Sequence, residues 1–503
     1  MAAGANPVPM KRSLILSSLV LALAAAVGVP SALPGIPAIP IPSMPLQKPG
    51  PAFIGAPAVA QPIAATPIPQ HPFMAPNGKS NIHNDAYMSG SYTWAGPLGN
   101  GVGVNSTWLG LEECASITFD TQGRIVALCG SLDGAKLRLL HPTTLATLSL
   151  LPLPPRMVRP GTTPLTDFCA AGYFYLDNRD RAVVATNLNQ IWIVSMKLGL
   201  MLPEKIFDLN THVVVPDCMV SVLPDWSGRI WFVSRGAVVG LVDPITGVKK
   251  SIKLPGEMIV NSFSVDETGG VYVVSDHALY RFDFDADTGE PKITWSTTYD
   301  RGTRKKPGQL SQGSGTTPDV MSSDLVAITD NADPFMNVEV YRRSSGQLVC
   351  RTPVFLPSPE KGATDNSLIT FGNSIIVENN YGYSGPTAVA QGKSTEPGVE
   401  RVDVDPATGT CTSIWYSAER SPTTVPKASL ATGLIYLYTK PVRADGVDAW
   451  YLTAVDYFTG ATRFSRLTGT GYLYNNHYAP ISLGPDRSAY IGTLGGLVRI
   501  ADN

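Results

Sequence analysis

"MVSVLPDWSGRIWFVSRGAVVGLVDPITGVKKSIKL", residues 219–254, divides into four short segments rich in Val, Ile and aromatic residues, separated by turn residues. Its order is strand, tight Asp/Gly turn, strand, loop, strand, the pentapeptide "DPITG" (243–247) and a last strand. Four strands make one unit. Close copies of the pentapeptide begin at 285 ("DADTG"), 405 ("DPATG") and 456 ("DYFTG"), and looser ones at 141 ("HPTTL"), 195 ("SMKLG") and 342 ("RRSSG"). Successive starts lie 42 to 63 residues apart, which brackets the period of propeller blades. Seven units are complete. An eighth, residues 479–503, supplies three strands and ends where its pentapeptide would begin, so its outer strand has to come from elsewhere. The stretch "SGSYTWAG" (89–96) resembles the outer strand "EPKITWST" (290–297) and is the expected source; such closure removes an open sheet edge. The expected fold is an all-β, eight-bladed β-propeller over residues 83–503, closed by an N-terminal strand.

Each blade needs a turn between its third and fourth strands. Asp accepts nearby backbone N–H groups there, and Gly tolerates positive φ. The run "DFDADTG" (283–289) reads as this punctuation and not as a calcium loop, because its Gly is one place late and no Glu follows at the twelfth position. "VDPITG", "VDVDPATG" and "VDYFTG" resemble the repeats of the PQQ-like/YVTN β-propeller superfamily over about residues 89–503. The resemblance implies eight blades and admits both quinoprotein dehydrogenases and non-catalytic envelope scaffolds. Quinoprotein blades place Trp four residues after the turn Gly; here Trp295 and Trp415 stand six residues after Gly289 and Gly409.

The chain is 44% hydrophobic and 16% charged over 503 residues, enough to bury a large core. A net charge of −2 argues against a nucleic-acid partner, which calls for a basic surplus. Lys11 and Arg12 precede the apolar run "SLILSSLVLALAAAVGV" (13–29), so residues 1–29 read as an export signal, cleaved after "AVG" or retained as a membrane anchor. Residues 30–82 read as a disordered Pro-rich spacer: 30–76 hold 14 Pro and a single Lys, Asp, Glu or Arg, Lys48. The expected location is secreted or extracytoplasmic, with any membrane contact made only through the N-terminal segment.

Blade topology places the pentapeptides and the turns between first and second strands on one face, here called lower. The long connections 156–167, 301–317, 331–336, 381–398 and 440–449 all fall on the other, upper face, where function is expected. At the start of each innermost strand the upper mouth of the channel meets Glu113, Asp167, Asp217, Asn261, Asp319, the pair Asp365 and Asn366, Lys427 and His477. All but Lys427 are the expected ligand-binding residues. Asp167, Asp217, Asp319 and Asp365 are the expected metal ligands, since a ring of oxygen donors suits Ca²⁺. The arrangement resembles the axial Ca²⁺ site of metal-dependent lactonases built on smaller propellers. Polar strand starts also cap turns or line water-filled channels, which is the alternative reading. His83 is expected at the surface. The sequence lacks a Gly-x-Ser-x-Gly elbow, a CxxC pair and an HExxH helix. The leading expectation is a binding or scaffold module for a small molecule or an envelope component. A cation-dependent hydrolase, lactonase or lyase is the alternative, followed by a quinone-dependent oxidoreductase.

Six Cys in an exported chain allow three disulfides and fifteen connectivities. Cys114 and Cys129 face each other across a hairpin, Cys169 and Cys218 share a slot in adjacent blades, and Cys350 and Cys411 remain on neighbouring outer strands. The basic loop Arg301, Arg304, Lys305 and Lys306 reads as solvated, with an anionic envelope polymer or lipid head group as its candidate partner. "NST" at 105 is a glycosylation sequon.

Overall fold

In the opening stretch, Met219–Pro224, Ile230–Ser234 and Val238–Val242 are buried along their whole length, and Lys249–Lys253 is half-exposed. They pair antiparallel in chain order. Burial on both faces explains why the first three read as continuous apolar runs without alternation, since each sheet is sandwiched between two others. This computed structural model describes residues 50–503 apart from 158–162, 164–166, 168, 171 and 323. The four-strand pattern recurs eight times, giving an all-β, eight-bladed β-propeller. The export or anchor segment 1–29 and spacer residues 30–49 lie outside the described residues.

Every pentapeptide joins a third to a fourth strand. In "DPITG" the Asp243 carboxylate accepts the Ile245 and Thr246 amides at 2.8 and 3.1 Å, and the Gly247 amide closes onto the Asp243 carbonyl. Gly247 has φ +77°, where an L-residue is strained. "HPTTL" makes the same turn with other atoms: His141 Nδ1 accepts the Thr143 and Thr144 amides at 3.2 Å, and Leu145 takes the positive φ. Two turn glycines also serve the blade before them. Trp295 lies over Gly346 and Trp415 over Gly460, where a Cβ would sit within 2.7 Å of the ring. Their indole N–H groups donate to the Arg343 and Tyr457 carbonyls at 2.8 and 2.7 Å. Between those two docked pairs, Cys350–Cys411 joins the outer strands of blades five and six. The other two expected disulfides, Cys114–Cys129 and Cys169–Cys218, are also present.

A second turn, between first and second strands, is nearly as regular. Asp120, Asp177 and Asp225 each accept the amides two and four residues ahead. Each also takes the Nε–H of Arg124, Arg181 or Arg229, at 2.6, 2.8 and 2.8 Å.

The ring closes with a different strand from the one expected. Gly103–Trp108 pairs antiparallel with Gly496–Ala501 and completes blade eight. "SGSYTWAG" instead lies inside, with Ser91–Tyr92 parallel to the innermost strand Lys427–Ser429 of blade seven and Trp94 Nε1 bonded to the Leu483 carbonyl. Its polar-aromatic alternation does not belong to an outer strand, because a short segment gripped on several sides mixes both residue types in the same way.

Residues 50–82 are not a disordered spacer. Phe53–Gly55 adds a fifth strand outside Thr462–Thr470 of blade seven. The chain then crosses the lower face, where Ile63 N–H donates to the Leu430 carbonyl, His71 packs on Trp226 at 4.2 Å, and the Phe73 carbonyl accepts the Asn178 amide. From Ser80 it enters the channel. The carbonyls of Ser80, Ala86, Tyr87, Ser89 and Gly90 accept the amides of Leu176, Val265, Val320, Thr370 and Ala428, on or beside the inner strands of blades two, four, five, six and seven. One strap therefore satisfies inner edges that would otherwise need water. Proline density did fix an extended, non-helical backbone; composition does not reveal whether a surface exists to receive it.

Candidate functional site

The strap closes the channel from below, and a cavity of about 250 Å³ remains at the upper mouth. His83 and Ile82, from the strap, belong to its lining. Most of the wall is apolar or aromatic, including Leu111, Leu132, Tyr173, Val260, Val425 and Leu494. Its polar positions come mainly from the connections that lead into innermost strands.

Of the residues expected at the mouth, Glu113, Asp167, Asn261, Asp365 and His477 do line this cavity. Glu113 accepts the His477 amide at 2.7 Å, and burial raises its carboxyl to about 8, so it holds a proton at neutral pH. Burial also drives Asp365 well above the carboxylate range. Neither Asp365 oxygen has a well-formed hydrogen bond; the Leu310 amide and Lys305 offset the burial only in part. Asp167 caps the Cys169 amide at 3.1 Å, Asn261 donates to the Gly315 carbonyl at 2.6 Å, and His477 Nδ1 meets the Tyr383 hydroxyl at 2.9 Å.

The remaining expected residues go elsewhere. Asp217 is spent on the Cys218 and Gly236 amides and the Ser234 hydroxyl, all within 2.7 Å, which fixes a hairpin of blade three. Asn366 points to Glu378, with Nδ2 3.3 Å from the carboxylate. Asp319 and Lys427 are fully buried beside Asp85 of the strap, whose carboxyl accepts the Ser89 hydroxyl at 2.5 Å. Burial pushes Asp319 up and holds Lys427 down to about 7, each partly offset by the other. This mixed-charge trio ties the strap to blades five and seven. Among the described residues no three of Asp167, Asp217, Asp319 and Asp365 bring ligand oxygens within 4.8 Å of one another. The one such cluster is Asp167 with Cys169 and Cys218, whose sulfurs are bonded to each other. The expected Ca²⁺ ring therefore does not converge: residues at equivalent chain positions sit at different depths once the strap fills the axis.

His83 is not at the surface. It is 2% exposed, its Nδ1 has no partner, and Nε2 lies 3.4 Å from Ser367 Oγ. Burial, then the charge of Lys427, holds its imidazole well below the ordinary value and hence neutral. Sequence reading missed it, together with Tyr173 and Tyr478, because only the strap's path brings residue 83 to the axis. The tyrosines do carry a signal, since each stands in the connection leading into an innermost strand.

A second compartment of about 690 Å³ opens above and shares Val260, Leu310, His477 and Tyr478 with the first. Arg235, Lys305 and Lys306 line it. Of the basic loop, Arg301 pairs with Asp276 at 3.1 Å and Lys306 is buried against the Ala332 carbonyl and Asp333, so only Arg304 and Lys305 are exposed.

In fold the chain is similar to quinoprotein dehydrogenases. It superposes on the quinohemoprotein alcohol dehydrogenase of Comamonas testosteroni with a TM-score of 0.54 at 12% identity, covering 86% of this chain and 80% of that one. With a europium-containing methanol dehydrogenase the TM-score is 0.52 at 12% identity, covering 84% and 98%. At this identity the likenesses are of fold alone. No family model matches the sequence. An uncharacterized protein of Archaeoglobus fulgidus is 25% identical over 320 residues, 56% of this chain. The chain spans about three fifths, 61%, of that relative's length.

The inner cavity does not fit a quinone of the PQQ type. Such a polycarboxylate there would find Arg156 as the one Arg or Lys among the described lining residues, beside Asp167 and the protonated Glu113 and Asp365. Trp295 and Trp415, the residues nearest the quinoprotein spacing, are spent on contacts between blades.

Proposed function

We propose that the protein is an extracytoplasmic binding module that holds a small, largely apolar molecule at the upper mouth of its propeller, without catalysing its conversion. The observation that carries this reading is the pairing of an apolar cavity with buried polar atoms that make no well-formed hydrogen bond, the Asp365 oxygens and His83 Nδ1. Buried polar groups are normally satisfied, and here a ligand's polar atom can supply the missing hydrogen bond. Three disulfides and the export-like N-terminal sequence support a location outside the cytoplasm. Among the described residues no helix is long and apolar enough to cross a membrane.

The cation-dependent hydrolase reading draws no support from the geometry, because its carboxylates do not gather. Binding of decanol to the full chain, followed by calorimetry and thermal shift, tests the proposal. Binding should occur and should be lost in Leu132→Trp, which fills the cavity from its exposed rim. Absence of binding, or binding unchanged in Leu132→Trp, would refute it.

A further inference from the structure

The two compartments differ sharply in charge. The inner one is apolar and holds carboxyls, whereas the upper one is lined by Arg235, Lys305 and Lys306 and, among the described residues, by no Asp or Glu. Lys306 is already neutralised by Asp333 at 3.3 Å. Arg235 and Lys305 form no ion pair and their side chains make no hydrogen bond among the described residues, although Arg235 is half-buried. A half-buried guanidinium facing an open compartment is poorly compensated, and it pairs most favourably with a planar carboxylate. Val260, Leu310, His477 and Tyr478 line both compartments, so the two adjoin.

We infer that the ligand is an amphiphilic carboxylate that reaches from one compartment into the other, with its body, largely apolar and carrying the polar atom that meets Asp365 and His83, in the inner cavity and its head group held in the vestibule by Arg235 and Lys305. This rests on the proposed function and deepens it by naming the class of molecule. Orientation follows from the charges. Entering head first would strip the anion of water in a largely apolar cavity where Glu113 and Asp365 hold their protons and supply no positive charge, whereas entering tail first buries apolar surface against Leu111, Val260 and Val425 and leaves the carboxylate among cations.

The same positioning predicts selectivity. A neutral alcohol of equal chain length keeps the tail contacts and loses the charge-assisted head contacts, which corresponds to about 10- to 100-fold weaker binding. The test is isothermal titration of the full chain with decanoate and with decanol, on the wild type, on Arg235→Gln and Lys305→Gln, and on the double variant. Decanoate should bind more tightly than decanol to the wild type, and the two affinities should become equal in the double variant. Added salt should weaken decanoate binding and leave decanol binding unchanged. Both substitutions are on the upper surface, and an unchanged melting temperature will verify folding. Equal affinity of the two probes for the wild type, or decanoate binding indifferent to the double substitution, would overturn the inference while the cavity proposal stands. Failure of both probes to bind would overturn both readings.

Discussion

The lower face of the propeller is built from two short turns repeated with small variations and covered by a strap; the upper face is built from long connections that differ from blade to blade. Below, nearly every carboxylate is committed: Asp120, Asp177, Asp225, Asp243 and Asp405 each accept at least two backbone amides. Above, Asp365 is buried with neither oxygen in a well-formed hydrogen bond, and Arg235 forms no ion pair among the described residues. At the upper mouth the unsatisfied Asp365 and His83 atoms line one cavity, which marks a place prepared for something else.

The strongest challenge to this contrast is removal of the strap. A chain beginning at residue 97 keeps all eight blades and the closing strand but loses the partners of the inner-strand amides and the lower cover. It should lose its cooperative thermal transition and become insoluble, which circular dichroism and light scattering will read. Next in size is Trp415→Ala, which empties the contact over Gly460 and should cost about 3 kcal/mol in denaturant unfolding.

The pH dependence of stability sharpens the upper side. Native Glu113 holds its proton up to about 8, against 4.5 for the free group, so unfolding between those values releases a proton. Stability contributed by this site is therefore present below pH 4.5 and is lost as pH rises through 8, by at most about 1.4 kcal/mol per pH unit. Glu113→Gln should flatten that part of the profile in parallel urea titrations.

Smaller effects separate the two faces directly. Asp225→Ala removes the acceptor of two amides, of Arg229 and of the buried Trp231 indole, and should cost about 2 kcal/mol. Asp365→Asn, on the upper side, should shift stability by less than about 1 kcal/mol, because a neutral group of the same shape replaces a protonated carboxyl. At the bottom of the scale, Ca²⁺ or EDTA should leave the melting temperature unchanged, since no three of the four aspartates converge. A Ca²⁺-dependent rise of several degrees would restore the cation reading.

What the sequence made legible follows the same division. The pentapeptides, the blade boundaries, the three disulfides and the position of the long connections could all be read, because turn chemistry and hydrophobic runs are local and repeated. The strap could not. Its carbonyls meet amides of five blades, and nothing in "SNIHNDAYMSG" (80–90) records which distant edges will receive them. That one gap accounts for the misplaced closing strand, for His83 and for the scattered aspartates. With residues 80–94 on the axis, Asp319 and Lys427 face the strap, leaving Glu113, Asp167 and Asp365 at the mouth.

Amide hydrogen exchange at single-residue resolution tests the strap most directly. The amides of Val265, Val320, Thr370 and Ala428 point into the channel and reach strap carbonyls at 2.8 to 3.1 Å. The account predicts that all four exchange only with global unfolding, as slowly as the buried central strands. Exchange as fast as that of the exposed upper loops would mean that water occupies the channel where the strap has been placed, and the floor of the proposed site would be lost with it.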